Sequence, residues 1–86
     1  MYQGHKPHRV FIIHDESVVA SSLAAMLRHK GFDARSFTDP LEALLAAEFE
    51  APDLLISDAV LPVLSGREVA GQVREHNPDC KVLLLS

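Results

Sequence analysis

The sequence predicts an α/β fold in which a parallel β-sheet is doubly wound, with helices on both of its faces. Four short apolar runs with the composition of buried strands alternate with three longer segments whose apolar residues recur at helical spacing. The connections between them are short, and strand-helix-strand units of this kind form parallel sheets with right-handed crossovers. The predicted order is therefore strand, helix, strand, helix, strand, helix, strand.

Composition limits the size and the partners of this fold. The chain has 86 residues, of which 48% are hydrophobic, and a formal net charge of -4. A single domain of this size buries only about 60–65% of its unfolded surface. An acidic chain disfavours direct nucleic-acid binding, which uses a basic patch. No apolar run reaches the roughly 20 residues that span a bilayer, and no signal-peptide segment begins the chain. We therefore expect a cytoplasmic protein that makes no membrane contact.

The first eight residues differ in character from the rest. Residues 1–8 are polar and aperiodic, which predicts a flexible leader, and the domain is expected to occupy residues 9–86. His5 and His8 in this leader are expected to be solvated rather than to bind a metal.

The first strand and the first helix follow directly. Arg9 to Ile13 is a β-branched and aromatic run, and it ends on His14-Asp15-Glu16. The helix is predicted over Ser17 to Lys30, with Gly31 as the residue that ends it. Its apolar positions at helical spacing are Val19, Leu23, Met26 and Leu27.

The second strand and the second helix have clear boundaries. Phe32 to Phe37 has the weaker alternation of a strand at the edge of a sheet. Asp39 as N-cap, Pro40 at the first helical position and Glu42 at the third predict a helix that runs to about Glu48. Its expected buried face consists of Leu41, Leu44 and Leu45.

The third strand ends on an acidic residue. The residues before Asp58 have no polar alternation at Leu54, Leu55 and Ile56, which is typical of a central strand covered on both faces. Pro62 cannot continue a strand ladder, and Ser65 with Glu68 has the pattern of a capping box. Asp58 is therefore predicted at the carboxyl end of a strand, where open α/β sheets bind their ligands.

The last helix and strand complete the pattern. The helix is predicted from about Gly66 to His76, ended by Asn77-Pro78, with a buried face of Val69, Ala70 and Val73. Lys81 to Ser86 is predicted to form a fourth apolar strand. Cys80 is the single cysteine, so no internal disulfide exists, and a buried or half-buried thiol is expected beside the strand.

The segment Asp58-Ala59-Val60-Leu61-Pro62-Val63-Leu64-Ser65-Gly66 resembles the phosphoacceptor loop of response-regulator receiver domains. The resemblance extends over about residues 9–86 and implies the flavodoxin-like (CheY-like) three-layer fold with strand order 2-1-3-4-5. Members of the family continue through a fourth helix, a fifth strand and a fifth helix. We therefore expect this chain to be an incomplete receiver domain.

The resemblance also implies roles for individual residues. Asp58 is the expected phosphoacceptor, and Asp15, Asp58 and the backbone carbonyl of Val60 are the expected ligands of Mg²⁺. Ser86 is expected to supply the hydroxyl that contacts the phosphoryl group. Taken alone, Asp15 and Asp58 are equally explained as a helix cap and a turn cap.

The same resemblance implies partners. The phosphoryl donor is expected to be a sensor histidine kinase or a phosphotransfer protein, and the recipient of the signal a downstream output domain or protein. The resemblance also allows a homodimer. The domain is expected to be a switch and not an enzyme.

Two departures from the family affect the site. His14 stands where most receivers carry an acid, which makes it an atypical candidate ligand and is expected to lower Mg²⁺ affinity, most of all below neutral pH where imidazole is protonated. A site that favours metals accepting nitrogen ligands is the alternative. The family's phosphate-pairing lysine has no counterpart in these 86 residues.

Three other functions remain as alternatives. A pseudo-receiver would use the same fold for phosphorylation-independent protein binding, with His14 marking a degraded metal site. An aspartate-nucleophile phosphohydrolase is disfavoured because Val60 occupies the place of its second aspartate. A flavin-binding domain is disfavoured because no phosphate-binding loop follows the first strand.

Overall fold

Four strands alternate with three helices in the computed structural model, which describes residues 7–85. The elements are β1 (Arg9–Ile13), α1 (Ser17–His29), β2 (Asp33–Phe37), α2 (Pro40–Phe49), β3 (Leu54–Asp58), α3 (Gly66–His76) and β4 (Lys81–Leu85). The predicted order is confirmed. His5 and Ser86, about which the sequence made predictions, lie outside the described residues. Most of the predicted leader also lies outside them. Within residues 7–85, no helix is long and apolar enough to cross a membrane.

The strands form one parallel sheet in the order β2-β1-β3-β4. β1 and β3 therefore occupy the centre, and β2 lies at the edge, as its weaker pattern predicts. In the register of the central pair, Phe11 lies opposite Leu55 and Ile13 opposite Ser57. This register places the residues that follow β1 beside those that end β3.

Alternation along the strands divides the core between two faces of the sheet. Phe11 and Ile13 point to the face covered by α2 and α3, whereas Val10 and Ile12 point to the face covered by α1. Val10 to Ile13 are all fully buried. Because both faces of β1 need cover, the chain forms three layers.

The predicted helix boundaries match hydrogen bonds in the structure. Asp39 Oδ1 accepts a hydrogen bond from Leu41 N at 2.9 Å, as expected of an N-cap. Ser65 Oγ accepts from Glu68 N at 3.1 Å, while Ser65 N donates to Glu68 Oε1 at 2.9 Å, so the capping box is complete. Gly31 follows α1 with φ of 98°, a left-handed conformation that favours glycine.

The predicted faces of α1 and α2 are confirmed only in part, because Leu23, Leu27 and Leu44 pack against the core as partly buried residues. Ala20 and Ala24 bury the face of α1, and Ala43 and Ala47 bury that of α2, whereas Met26, Leu41 and Leu45 are exposed. Both helices have apolar residues on more than one face, so periodicity could not identify the packed one. The most deeply buried positions of both helices carry small residues, and the partly buried leucines lie beside them.

Cys80 is buried, as predicted, with 1% of its surface exposed. Burial raises the pKa of its thiol above 9.0. The nearby positive charge of Arg74 lowers the same pKa, but its effect is smaller. A raised pKa leaves little thiolate at pH 8, and the thiolate is the reactive form.

We expect Cys80 to react with a thiol-specific aromatic disulfide at pH 8 only after the protein is unfolded in guanidinium chloride. The aromatic thiolate released by the reaction is measured by its absorbance. The native protein should release almost none of it, and the unfolded chain should release one equivalent. A Cys80→Ser variant is the control for background. Rapid labelling of the native protein would show that the thiol is not protected.

Two glycines in α3 provide a matched test of the packing between this helix and β3. A Cβ atom on Gly66 would overlap the Asp58 carbonyl oxygen and lie 3.0 Å from Leu84 Cδ2, whereas one on Gly71 would have no neighbour within 4 Å. Gly66→Ala should therefore lower the free energy of unfolding by about 1–3 kcal/mol. Gly71→Ala should raise it by up to about 1 kcal/mol, because alanine favours helix.

Urea unfolding followed by circular dichroism measures both values. Equal stability of the Gly66→Ala variant and the unmodified chain would contradict the close approach of α3 to Asp58.

Candidate functional site

The candidate site lies at the carboxyl ends of the two central strands. Ile13 ends β1 and is paired with Ser57, the residue before Asp58. His14 and Asp58 therefore leave neighbouring strands at the same edge of the sheet. His14 N also donates a hydrogen bond to Phe37 O at 3.1 Å, which ties this turn to the end of β2.

The backbone around Asp58 is held on several sides. Ser57 is fully buried, and its hydroxyl donates a hydrogen bond to Asp58 O at 2.9 Å. Ala59 N donates to Leu85 O at 2.8 Å and Gly66 N donates to Ala59 O at 2.9 Å. The loop after Asp58 is thus joined to β4 on one side and to the start of α3 on the other.

The carboxylate of Asp58 remains accessible, with 24% of its side chain exposed. Val60 N lies 3.5 Å from Asp58 Oδ1, at the limit of a hydrogen bond. A carboxylate placed at the end of a buried strand, with a supported backbone and an open side, is suited to act as a nucleophile or as a metal ligand.

The imidazole of His14 lies between two carboxylates. Its Nε2 is 3.7 Å from Asp58 Oδ2, and its Nδ1 is 3.3 Å from Asp15 Oδ1. Only 15% of the His14 side chain is exposed, against 52% for Asp15. The carboxylates of Asp15 and Asp58 therefore both contact the largely buried imidazole ring of His14.

A hydrogen bond indicates which ring nitrogen carries the proton. Glu16 N donates to His14 Nδ1 at 3.1 Å, so this nitrogen is the acceptor. The single proton of a neutral ring then lies on Nε2 and faces Asp58. In that tautomer the contact of Nδ1 with Asp15 is not a hydrogen bond.

Three side chains of this turn have donor atoms close enough to share a metal ion. The donor atoms of His14, Asp15 and Glu16 lie within 4.8 Å of one another, and Asp58 adjoins this group through His14. Glu16 is the N-cap of α1, and its side chain makes no capping hydrogen bond. The carboxylate oxygens suit Mg²⁺, whereas the imidazole nitrogen is a poorer ligand for it.

The structure brings together most of the residues that the sequence singled out. Asp15, His14 and Asp58 lie in one cluster, and Val60 follows Asp58 in the exposed loop. Ser86 lies outside the described residues, but Leu85 before it ends β4 beside this loop through its hydrogen bond with Ala59.

The supporting roles of two residues were not identified from the sequence. Ser57 was recognisable as the one hydroxyl in the apolar run of β3. Gly66 was recognised only as part of a motif, since its close approach to the Asp58 carbonyl depends on where α3 packs.

Comparison with known proteins agrees with this geometry. The family model for the response regulator receiver domain matches residues 10–86. The probable transcriptional regulatory protein TcrX of Mycobacterium tuberculosis is 35% identical over 81 residues, which are 94% of this chain and 35% of TcrX.

Solved structures match over a similar range. The receiver domain of the hybrid histidine kinase CckA has a TM-score of 0.82 and 33% identity, covering 88% of this chain and 72% of that one. The response regulator TrrA of Thermotoga maritima, in complex with Mg²⁺-BeF, has a TM-score of 0.77 and 31% identity, covering 90% and 67%.

The chain spans about a third of the length of the curated relatives it matches. The family match nevertheless includes all three helices and all four strands, except for Arg9 at the start of β1. The strand order and the aspartate at the end of β3 are those that the resemblance implies. The chain belongs to the family of response regulator receiver domains of two-component systems, and it has their CheY-like flavodoxin fold.

Proposed function

We propose that this domain is a phosphoacceptor switch in which Asp58 receives a phosphoryl group from a histidine kinase or a phosphotransfer protein, with the help of Mg²⁺. The observation that carries the proposal is the placement of Asp58. Its carboxylate is accessible at the end of β3, and the acidic turn after β1 adjoins it through His14.

The proposed reaction is a direct transfer between two side chains. One carboxylate oxygen of Asp58 forms a bond to phosphorus, and the bond from phosphorus to the imidazole nitrogen of the donor's phosphohistidine breaks. The departing imidazole keeps that electron pair, and Asp58 becomes an acyl phosphate. Catalysis of such a transfer depends mainly on positioning and on charge stabilisation.

Several residues of this chain position the nucleophile. The Ser57 hydroxyl holds the Asp58 carbonyl, and Val60 N–H lies beside Oδ1 of the carboxylate. These contacts support the backbone of Asp58 while its carboxylate stays accessible to a donor protein.

Asp15, Asp58 and the Val60 carbonyl are the proposed holders of the metal. A bound divalent cation would offset the negative charges that meet when a phosphoryl group approaches a carboxylate. The complex of TrrA with Mg²⁺-BeF supports the use of Mg²⁺ in a related site. His14 supplies a neutral nitrogen where an additional carboxylate would bind Mg²⁺ more strongly, so affinity for Mg²⁺ should be low.

Signalling would follow from the charge added at Asp58. A phosphoryl group adds oxygens that accept hydrogen bonds, and the Ser86 hydroxyl is the proposed partner inside the domain. The transcriptional regulators among the relatives support an output domain or output protein as the recipient. In this proposal the domain is a cytoplasmic switch and turns over no separate substrate.

We expect incubation with acetyl phosphate and Mg²⁺ to add one phosphoryl group to the protein, detected by intact mass spectrometry. Asp58→Asn should abolish the gain, because an amide is not a nucleophile for this transfer, and a chelator should suppress it. A Mg²⁺-dependent gain that persists in Asp58→Asn would show that another residue is the acceptor. Absence of any gain in a chain extended through the fifth strand would favour the pseudo-receiver.

His14→Asp should tighten Mg²⁺ binding by about tenfold, equivalent to about 1.4 kcal/mol, because it adds a carboxylate beside Asp15 and Asp58. Isothermal titration calorimetry measures the dissociation constants. His14→Asn, which is neutral, is the matched control and should not bind Mg²⁺ more tightly than the unmodified chain. An unchanged dissociation constant in His14→Asp would refute the role assigned to His14.

A further inference from the structure

α2 has the composition of a helix that is covered on all sides. Of its ten residues from Pro40 to Phe49, only Glu42 and Glu48 are polar. Helices that are apolar all round are normally buried all round. Here only one face is packed: Pro40, Ala43 and Ala47 are buried, and Leu44 and Ala46 lie partly buried beside them.

The largest side chains of α2 lie on its outer face. Leu41, Leu45 and Phe49 are 50%, 58% and 83% exposed. Their spacing of four residues aligns them along the helix, over a length of about 12 Å. We call these three residues the α2 stripe. Single exposed apolar residues are ordinary, but a continuous line of three marks a surface for interaction.

Acidic residues border the α2 stripe on both sides. Glu42 and Glu48 each lie three positions from Leu45, one before it and one after it, so they flank the stripe on opposite edges. No basic residue occurs in α2. Glu50 after the helix is engaged elsewhere, since its carboxylate lies 3.5 Å from Arg9 and 3.4 Å from Arg35.

The acidic borders distinguish between possible occupants. A second copy that paired through the same face would place Glu42 and Glu48 near like charges, which is unfavourable. An anionic membrane surface would be repelled for the same reason. A helix with an apolar line flanked by lysine or arginine would match both the apolar stripe and the charges.

We propose that the α2 stripe is a docking surface for a basic amphipathic helix of a partner protein. Leu45 lies at the centre of the contact, and Phe49 provides the aromatic anchor at one end. The α2 stripe contains none of the residues of the Asp58 cluster, and the proposed binding requires no phosphoryl transfer.

The probe is a synthetic leucine-lysine peptide of about 18 residues, long enough to form a helix in water, with leucines on one face and a fluorescent label. Titration with the unmodified chain, followed by fluorescence anisotropy, should give saturable binding. Leu45→Glu should raise the dissociation constant by at least about tenfold. Met26→Glu on α1 is the matched control, because Met26 is 60% exposed, and should leave the constant unchanged.

A second pair of measurements tests the charges. The double substitution Glu42→Lys and Glu48→Lys should weaken binding of the leucine-lysine peptide and strengthen binding of a leucine-glutamate peptide of the same length. Chemical-shift changes in the amide spectrum of the unmodified chain should concentrate in α2, which locates the contact without any variant.

Several results would overturn the proposal. The first is the absence of saturable binding, and the second is a set of chemical-shift changes that lies outside α2. The third is an equal loss of peptide affinity in Leu45→Glu and Met26→Glu, and the fourth is a charge variant that binds both peptides as the unmodified chain does. Sedimentation that detects a dimer dissociated by Leu45→Glu would identify a second copy as the occupant instead.

Discussion

The parallel pairing of β1 with β3 is the interaction on which the rest of the structure depends. Residues 10–13 of β1 are fully buried, so helices must cover both faces of the sheet, and the chain has to cross over between strands. The same pairing sets Ile13 opposite Ser57. His14 and Asp58 therefore emerge side by side, and the candidate site is a direct consequence of how the core is assembled.

His14 changes the electrostatics of that site. In a neutral ring, Nδ1 accepts the Glu16 N–H and Nε2 directs its proton towards Asp58. The imidazole therefore contacts both acids, Asp15 through Nδ1 and Asp58 through Nε2. The same ring offers Mg²⁺ a poorer ligand than a carboxylate.

The packing of α2 shows how residue size distributes over a helix. Ala43 and Ala47 allow the helix to lie close to the sheet, where Phe11 and Leu55 already fill the core. The larger Leu41 and Leu45 are left on the outer face. Close packing of the inner face and an apolar outer face therefore arise together in α2, and the outer face contains none of the residues that cluster around Asp58.

By itself, the sequence determined the order of the elements and their boundaries, because caps, prolines and strand composition act over a few residues. Asp39, Pro40 and the Ser65–Glu68 capping box are local signals, and each forms as predicted. It also indicated Asp15 and Asp58 as partners, since parallel strands end at a common edge. Tertiary structure decided which face of α2 is buried, how closely Gly66 approaches the Asp58 carbonyl, and where the His14 ring lies. Those outcomes depend on the volumes and contacts of residues distant in the chain, which local patterns do not contain.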